Sequence, residues 1–296
     1  MKNVIFNADD FGLHPDVNAG IIRAYQHGVL TSTSVMAVGE ALDEAVQLLR
    51  ANPGLDTSVH ITLVAERPVL PVDEVPSLVD ETGHFWPDYM AFAKRYFLGK
   101  ISKDELRAEC EAQIARLEYL GIHPSHLDSH QHLHVLPGIL DICLDLMEAH
   151  GIRRMRLPAE TYGFTGGFHA GAMRKAGRDA LTYFAHRARK KAAARGIWMP
   201  DGFYGMLSGG NTDEHTLLSI LRAIHAAEGE TFEIMQHPGM TTKELSQKYP
   251  WGYHWTQERA ALTSPAVKEF LRDYEMKAVS FAQMGEHQPK TESKSK

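Results

Sequence analysis

The order of hydrophobic periods over the first 63 residues leaves few folds open. Residues 3–8 are a short apolar run of strand character. Residues 14–27 then carry Val17, Ile21, Ile22 and Tyr25 at near-helical spacing, with Gly28 as a stop, and 29–38 return to a β-branched strand pattern. A helix over 41–52, ended by Pro53-Gly54, and a third strand over 56–63 follow. Such alternation builds parallel sheets with crossover helices. Further strands are expected at 126–134, 153–157, 201–205, 231–236 and 278–283, and a helix over 263–275. Seven or eight strands with no internal repeat or linker predict a single (β/α) barrel over residues 1–284. The polar stretch 285–296 is expected to be a disordered tail.

The stretch His126-Leu127-Asp128-Ser129-His130-Gln131-His132-Leu133-His134 has a histidine or carboxylate at every even position. In a strand the side chains alternate, so His126, Asp128, His130, His132 and His134 are expected on one face. Neighbours on that face are ~6.6 Å apart, so one ion can be reached by one histidine or an adjacent pair, and further ligands must come from elsewhere. Any one of these residues alone reads as a surface or polar-core histidine. Crowding so many titratable groups without a metal or catalytic purpose is electrostatically costly, and the group as a whole marks a functional site.

In a barrel of this kind the reactive residues stand at the C-terminal ends of strands. Four expected strand ends carry Asp9-Asp10, His60, His130 and His237. Asp9 and Asp10, being adjacent on a strand, should point in opposite directions and serve two jobs, one binding a metal and one taking a proton; an ordinary turn is the plainer reading of Asp-Phe-Gly. Two histidines and a carboxylate make a divalent-metal set with open positions, suited to zinc, iron, cobalt or nickel, and point to a hydrolase. Arg156 near the end of the 153–157 strand either reaches the site or forms a structural ion pair. Trp251, Tyr253 and Trp255 are rings of the kind that stack on sugars or pack under a loop. The proline-rich stretch 64–87 reads as a lid, a surface excursion or a homodimer contact. The basic helix 172–196 reads as a solvated face or as a transient contact with a lipid surface.

A net charge of −6 offers no basic surplus for phosphates and argues against a nucleic-acid partner. No stretch approaches the ~20 apolar residues of a membrane span and no signal peptide is evident, so a cytoplasmic location is expected. The two cysteines, Cys110 and Cys143, read as core thiols, which leaves nitrogen and oxygen ligands for any metal.

The motifs Asn7-Ala8-Asp9-Asp10-Phe11-Gly12, the isolated His60, the 126–134 stretch, Arg156-Leu157-Pro158 and His237-Pro238 occur in an order that resembles the YdjC family of carbohydrate deacetylases, which includes chitooligosaccharide deacetylases. The resemblance runs to about Gln283. It implies a barrel of the polysaccharide-deacetylase type that removes acetate from an N-acetylated sugar. It also implies Asp10, His60 and His130 as metal ligands, Asp9 as base, His237 as general acid, Asp128 as the orienter of a site histidine, and Arg156 as the holder of substrate or a carboxylate. His132 and Asp201 complete the set expected to touch substrate or support the ligands. The cofactor is one divalent ion, magnesium by the family's usual assignment or zinc by the preference of two imidazoles. Residues 66–71 and 76–80 also resemble members linked to hopanoid biosynthesis, which act on a lipid-borne amino sugar. Two other readings stay open: an amidohydrolase or deaminase, whose HxH normally lies on the first strand, and a non-catalytic sugar-binding barrel.

Overall fold

The computed structural model describes residues 1–285; apart from Gly285, the polar tail lies outside them. Seven parallel strands form one sheet: β1 (Lys2–Phe11), β2 (Ser32–Val35), β3 (Asp56–Ile61), β4 (His126–Ser129), β5 (Gly202–Tyr204), β6 (Thr231–Gln236) and β7 (Met276–Val279). The order is β4-β3-β2-β1-β6-β5, with β7 beside the first half of β1 at Lys2–Ile5. β1 is buried on both faces from Val4 onward, which is why it reads as a continuous apolar run rather than an alternating one.

The sheet curves into a half-barrel and stays open between β4 and β5, so the closed ladder of seven or eight strands expected from the sequence is not formed. Only isolated bridges cross that gap: Leu127 with Met155, Arg154 with Trp198, and Glu160 with Phe203. The strand expected over 153–157 is reduced to these contacts. Pro158 and Pro200 stand just beyond the bridged residues and have no N–H to extend a ladder.

Helices α1 (Pro15–His27), α2 (Leu42–Ala51), α3 (Tyr89–Phe97), α4 (Lys103–Tyr119), α5 (Ile139–Ala149), α6 (Ala172–Ala194), α7 (Glu214–Ala226), α8 (Lys243–Lys248), α9 (Trp255–Thr263) and α10 (Pro265–Asp273) complete the fold. The helix expected over 263–275 is α10, and α9, which was not expected, ends just before it at Ser264. The Ser264 hydroxyl accepts from the N–H of Val267, and Pro265 opens α10. The core joins Val4, Phe6, Val59, Leu127 and Ile234 of the sheet to Ile21, Ile114 and Leu221 of the surrounding helices. Cys110 and Cys143 are buried thiols within it.

The cations of α6 are largely committed to the protein itself. Arg178 is buried against Glu160 and the carbonyls of Thr161 and Phe164, Arg189 donates to the carbonyls of Pro200 and Asp201, and Lys191 and Arg195 pair with Asp141 and Asp145. Among the described residues no helix is long and apolar enough to cross a membrane.

Candidate metal centre and substrate cavity

A backbone irregularity brings two adjacent carboxylates together at the end of β1. The pairing of β1 with β2 shifts between Ala8 and Phe11, and Asp10 lies at φ 68°, a left-handed conformation that aspartate tolerates better than most residues. Regular alternation would send Asp9 and Asp10 to opposite faces. Here both approach His60, whose Nε2 is 3.4 Å from Asp10 Oδ1 and 4.0 Å from Asp9 Oδ2.

The nine-residue histidine stretch is divided rather than continuous. β4 ends at Ser129, and His130–Val135 form a 3-10 turn in which Gln131 (φ 55°) and His132 (φ 58°) are left-handed. The expected common face therefore breaks up. His126 stacks on Phe281 with ring centroids 3.6 Å apart, and burial lowers its pKa to about 4. His134 contacts Ser129 Oγ at 2.6 Å and the Arg156 carbonyl at 3.1 Å. Asp128 and His130 alone of the five join the carboxylates of β1 and the histidine of β3.

Asp10, His60 and His130 each offer a ligand atom, all within 4.8 Å of one another. His130 Nδ1 is 2.9 Å from Asp10 Oδ1. Asp10 Oδ2 and His60 Nε2 are buried without a hydrogen-bond partner, a costly arrangement that a cation would relieve. Two imidazoles and one carboxylate suit a borderline divalent ion. Asp9, His60 and Asp128 meet the same distance test, but their carboxylates are already engaged. Arg156 grips Asp9 through two 2.7 Å bonds, and Asp9 also accepts from Asn7 at 2.9 Å. Asp128 accepts from Ser34 and Ser58 and lies 2.7 Å from His60 Nδ1, so it orients that ring and leaves Nε2 facing Asp10.

Burial opposes the charge on Asp10, yet His130 and His60 hold its carboxyl well below the usual carboxylate range. Burial likewise opposes the imidazolium form of His60, but Asp128, Asp9 and Asp10 outweigh it and raise the pKa to about 10. In the metal-free protein a proton on His60 thus supplies part of the missing positive charge. Arg156 is fully buried among Asp9, Asp128 (3.2 Å) and Glu233 (2.7 Å). With that guanidinium shared among three carboxylates, burial prevails at Glu233 and pushes it up to about 8.

A cavity of about 370 Å³ opens beside this cluster, and Asp9, His130, His132, His237, Trp251 and Tyr253 contribute to its wall. His237 ends β6. Its backbone N–H donates to Glu258, whose carboxylate stands 3.7 Å from Nδ1, an ion-pair contact beyond hydrogen-bonding range. Burial works against protonation of His237, but Glu258 and Asp10 raise its pKa. Trp251 leans on His130 at 5.7 Å and on Tyr253 at 5.4 Å, whereas Trp255 is buried beneath them. Asp201 is not brought here; its exposed carboxylate accepts from the N–H groups of Glu230 and Thr231.

Glu233 and Glu258 were not singled out from the sequence. Glu233 left one signal, an acidic residue within an otherwise apolar strand; Glu258 left none, because a glutamate in a helix ordinarily faces water.

The fold and the cluster define an α/β protein with a buried carboxylate-histidine cluster that could hold a cation, opening on an aromatic-walled cavity. The chain belongs to the YdjC-like protein family, which it matches over residues 3–273. It is 30% identical to a carbohydrate deacetylase of Thermoanaerobacter pseudethanolicus over 276 residues, covering 92% of this chain and 95% of the relative. It is 29% identical to a chitooligosaccharide deacetylase of Enterobacter over 283 residues, covering 95% of this chain and 98% of the relative. A crystal structure from Enterococcus faecalis, provisionally described as a cellobiose-phosphate cleavage protein, superposes with a TM-score of 0.78 at 28% identity, covering 96% of this chain and 99% of the other.

Proposed function

We propose that the chain hydrolyses the acetamido group of an N-acetylated amino sugar, releasing acetate and the free amine, with a divalent cation held by Asp10, His60 and His130. The observation that carries this reading is the pair of partnerless buried atoms, Asp10 Oδ2 and His60 Nε2, beside a cavity that also presents Asp9 and His237. The relatives named carbohydrate deacetylase supply the substrate class.

When bound, the cation supplies Lewis-acid chemistry, polarising the acetyl carbonyl and making water a better nucleophile at neutral pH. Asp9 takes the proton of the attacking water, its carboxylate held in one orientation by Arg156 and Asn7. His237 carries a proton to the departing nitrogen; its raised pKa, set by Glu258 and Asp10 against burial, keeps that proton available. Asp128 fixes the His60 ring. Trp251 and Tyr253 offer apolar faces to the sugar.

Acetate release from N-acetylglucosamine, its disaccharide and a lipid-linked N-acetylglucosamine tests the reading, with metal-reconstituted wild type beside Asp9→Asn and His130→Ala. Turnover by wild type is expected, with Asp9→Asn binding metal but inactive and His130→Ala losing the metal. Normal metal binding with no acetate released from any of these sugars would sink the deacetylase assignment and favour a binding protein.

A further inference from the structure

The 3-10 turn after β4 holds a second polar side chain that metal binding and proton transfer do not use. His132 lines the cavity, is 6% exposed, and has no hydrogen-bond partner for Nδ1. Its backbone is left-handed, as is that of Gln131 before it, and two such residues in succession are strained for L-amino acids. The turn is held in this shape at both ends: Ser129 Oγ accepts the N–H of His134, and Gln131 Oε1 accepts the N–H of Tyr89 at the start of α3. The strain has a result. His130 is delivered to Asp10, and two residues on His132 is delivered to the cavity wall, where its ring stands edge-on to Phe203 at 5.6 Å.

Resting on the deacetylase reading, we propose that His132 reads a ring hydroxyl of the acetylated sugar and so sets which amino sugar is accepted. A neutral imidazole has one donor and one acceptor, and a hydroxyl is the sugar group that can satisfy either. Helix α6 packs on this turn and brings Leu181 to the same cavity. A site built to hydrogen-bond a hydroxyl rejects the analogue that lacks it, because the protein group is then left unpaired.

The test uses the metal-loaded full chain with N-acetylglucosamine and its 3-, 4- and 6-deoxy analogues, for wild type, His132→Phe and His132→Asn. The first variant removes both nitrogens and keeps a ring; the second suits a left-handed backbone and serves if the first does not fold. KM and kcat are read where acetate is released, and Kd by calorimetry where it is not, so a protein that binds sugars without turnover overturns the deacetylase reading while still testing His132. Wild type is expected to disfavour one deoxy analogue roughly 5- to 150-fold. In the variants that discrimination should fall below about twofold, with metal content unchanged. Equal losses on all four sugars, undiminished discrimination in the variants, or a wild type that binds none of the sugars or treats all four alike would each overturn the proposal.

Discussion

Replacing Glu233 with glutamine should make the protein more stable at alkaline pH, although it removes one side of a buried ion pair. Glu233 is fully buried, bonded to Arg156 Nε through one oxygen and unpartnered at the other, and its pKa is pushed from 4.5 up to about 8. Between those two values the folded chain holds a proton that the unfolded chain has released, so stability falls as pH rises through the window and levels off above about 8. At 1.36 kcal/mol per pH unit the loss has a ceiling of roughly 5 kcal/mol. Glutamine keeps the shape and the acceptor for Arg156 and carries no charge to desolvate. Chemical denaturation of metal-free wild type and Glu233→Gln from pH 5 to 9 isolates this group, because every other titration is common to both. The two should agree within about 1 kcal/mol at pH 5, with the variant ahead by several kcal/mol at pH 8.5. A difference that stays constant with pH, or a variant weaker at every pH, would show that Glu233 is ionised in the folded protein and that Arg156 prevails over burial.

Zinc uptake near neutral pH should release about one proton, from His60, and tighten by up to tenfold per pH unit toward the His60 pKa of about 10; calorimetry in buffers of different ionisation heat counts that proton, and no buffer dependence would contradict the assignment. Arg156→Met should destabilise by about 3–5 kcal/mol, since Asp9 and Asp128 lose their shared counter-charge and Glu233 its hydrogen-bond donor, and thermal melting at pH 7 measures it. Gly210 lies at φ 79° with room for no side chain, as an added Cβ would stand 2.2 Å from the Tyr253 ring. Gly210→Ala should therefore cost about 1–2 kcal/mol in backbone strain and raise KM more than it lowers kcat, because Tyr253 is displaced from the cavity wall.

Which residues gather at the site was more legible in the sequence than how they gather. Asp9, Asp10, His60, His130 and His237 stand at the ends of β1, β3, β4 and β6 because parallel strands deliver their C-terminal ends to one side of a sheet. Asp128 and Arg156 meet them there as well. Strand periodicity assumes a regular backbone, and it failed where the backbone is left-handed. Asp10 turned the expected divergence of two carboxylates into convergence, and Gln131 and His132 ended a strand that the alternation of histidines had extended to His134. Asp201 was misplaced for a simpler reason: it precedes β5 and so stands at the N-terminal end of the sheet, away from the cluster. Glu233 and Glu258 were hidden because their partners, Arg156 and His237, are remote in sequence.

The unclosed side of the sheet has an evolutionary consequence. Elsewhere each strand is fixed in register by its neighbours, and a residue gained or lost would shift a whole ladder. Between β4 and β5 the backbone pairing of the described residues is limited to single bridges, so the loop between Glu160 and α6 can lengthen or shorten with little disturbance to the strands carrying Asp10, His60 and His237. That side also supplies Arg174, Gly177 and Leu181 to the cavity. Descendants of such a chain can reshape the cavity by changing loop length at the seam, leaving the carboxylate-histidine cluster as the inherited part.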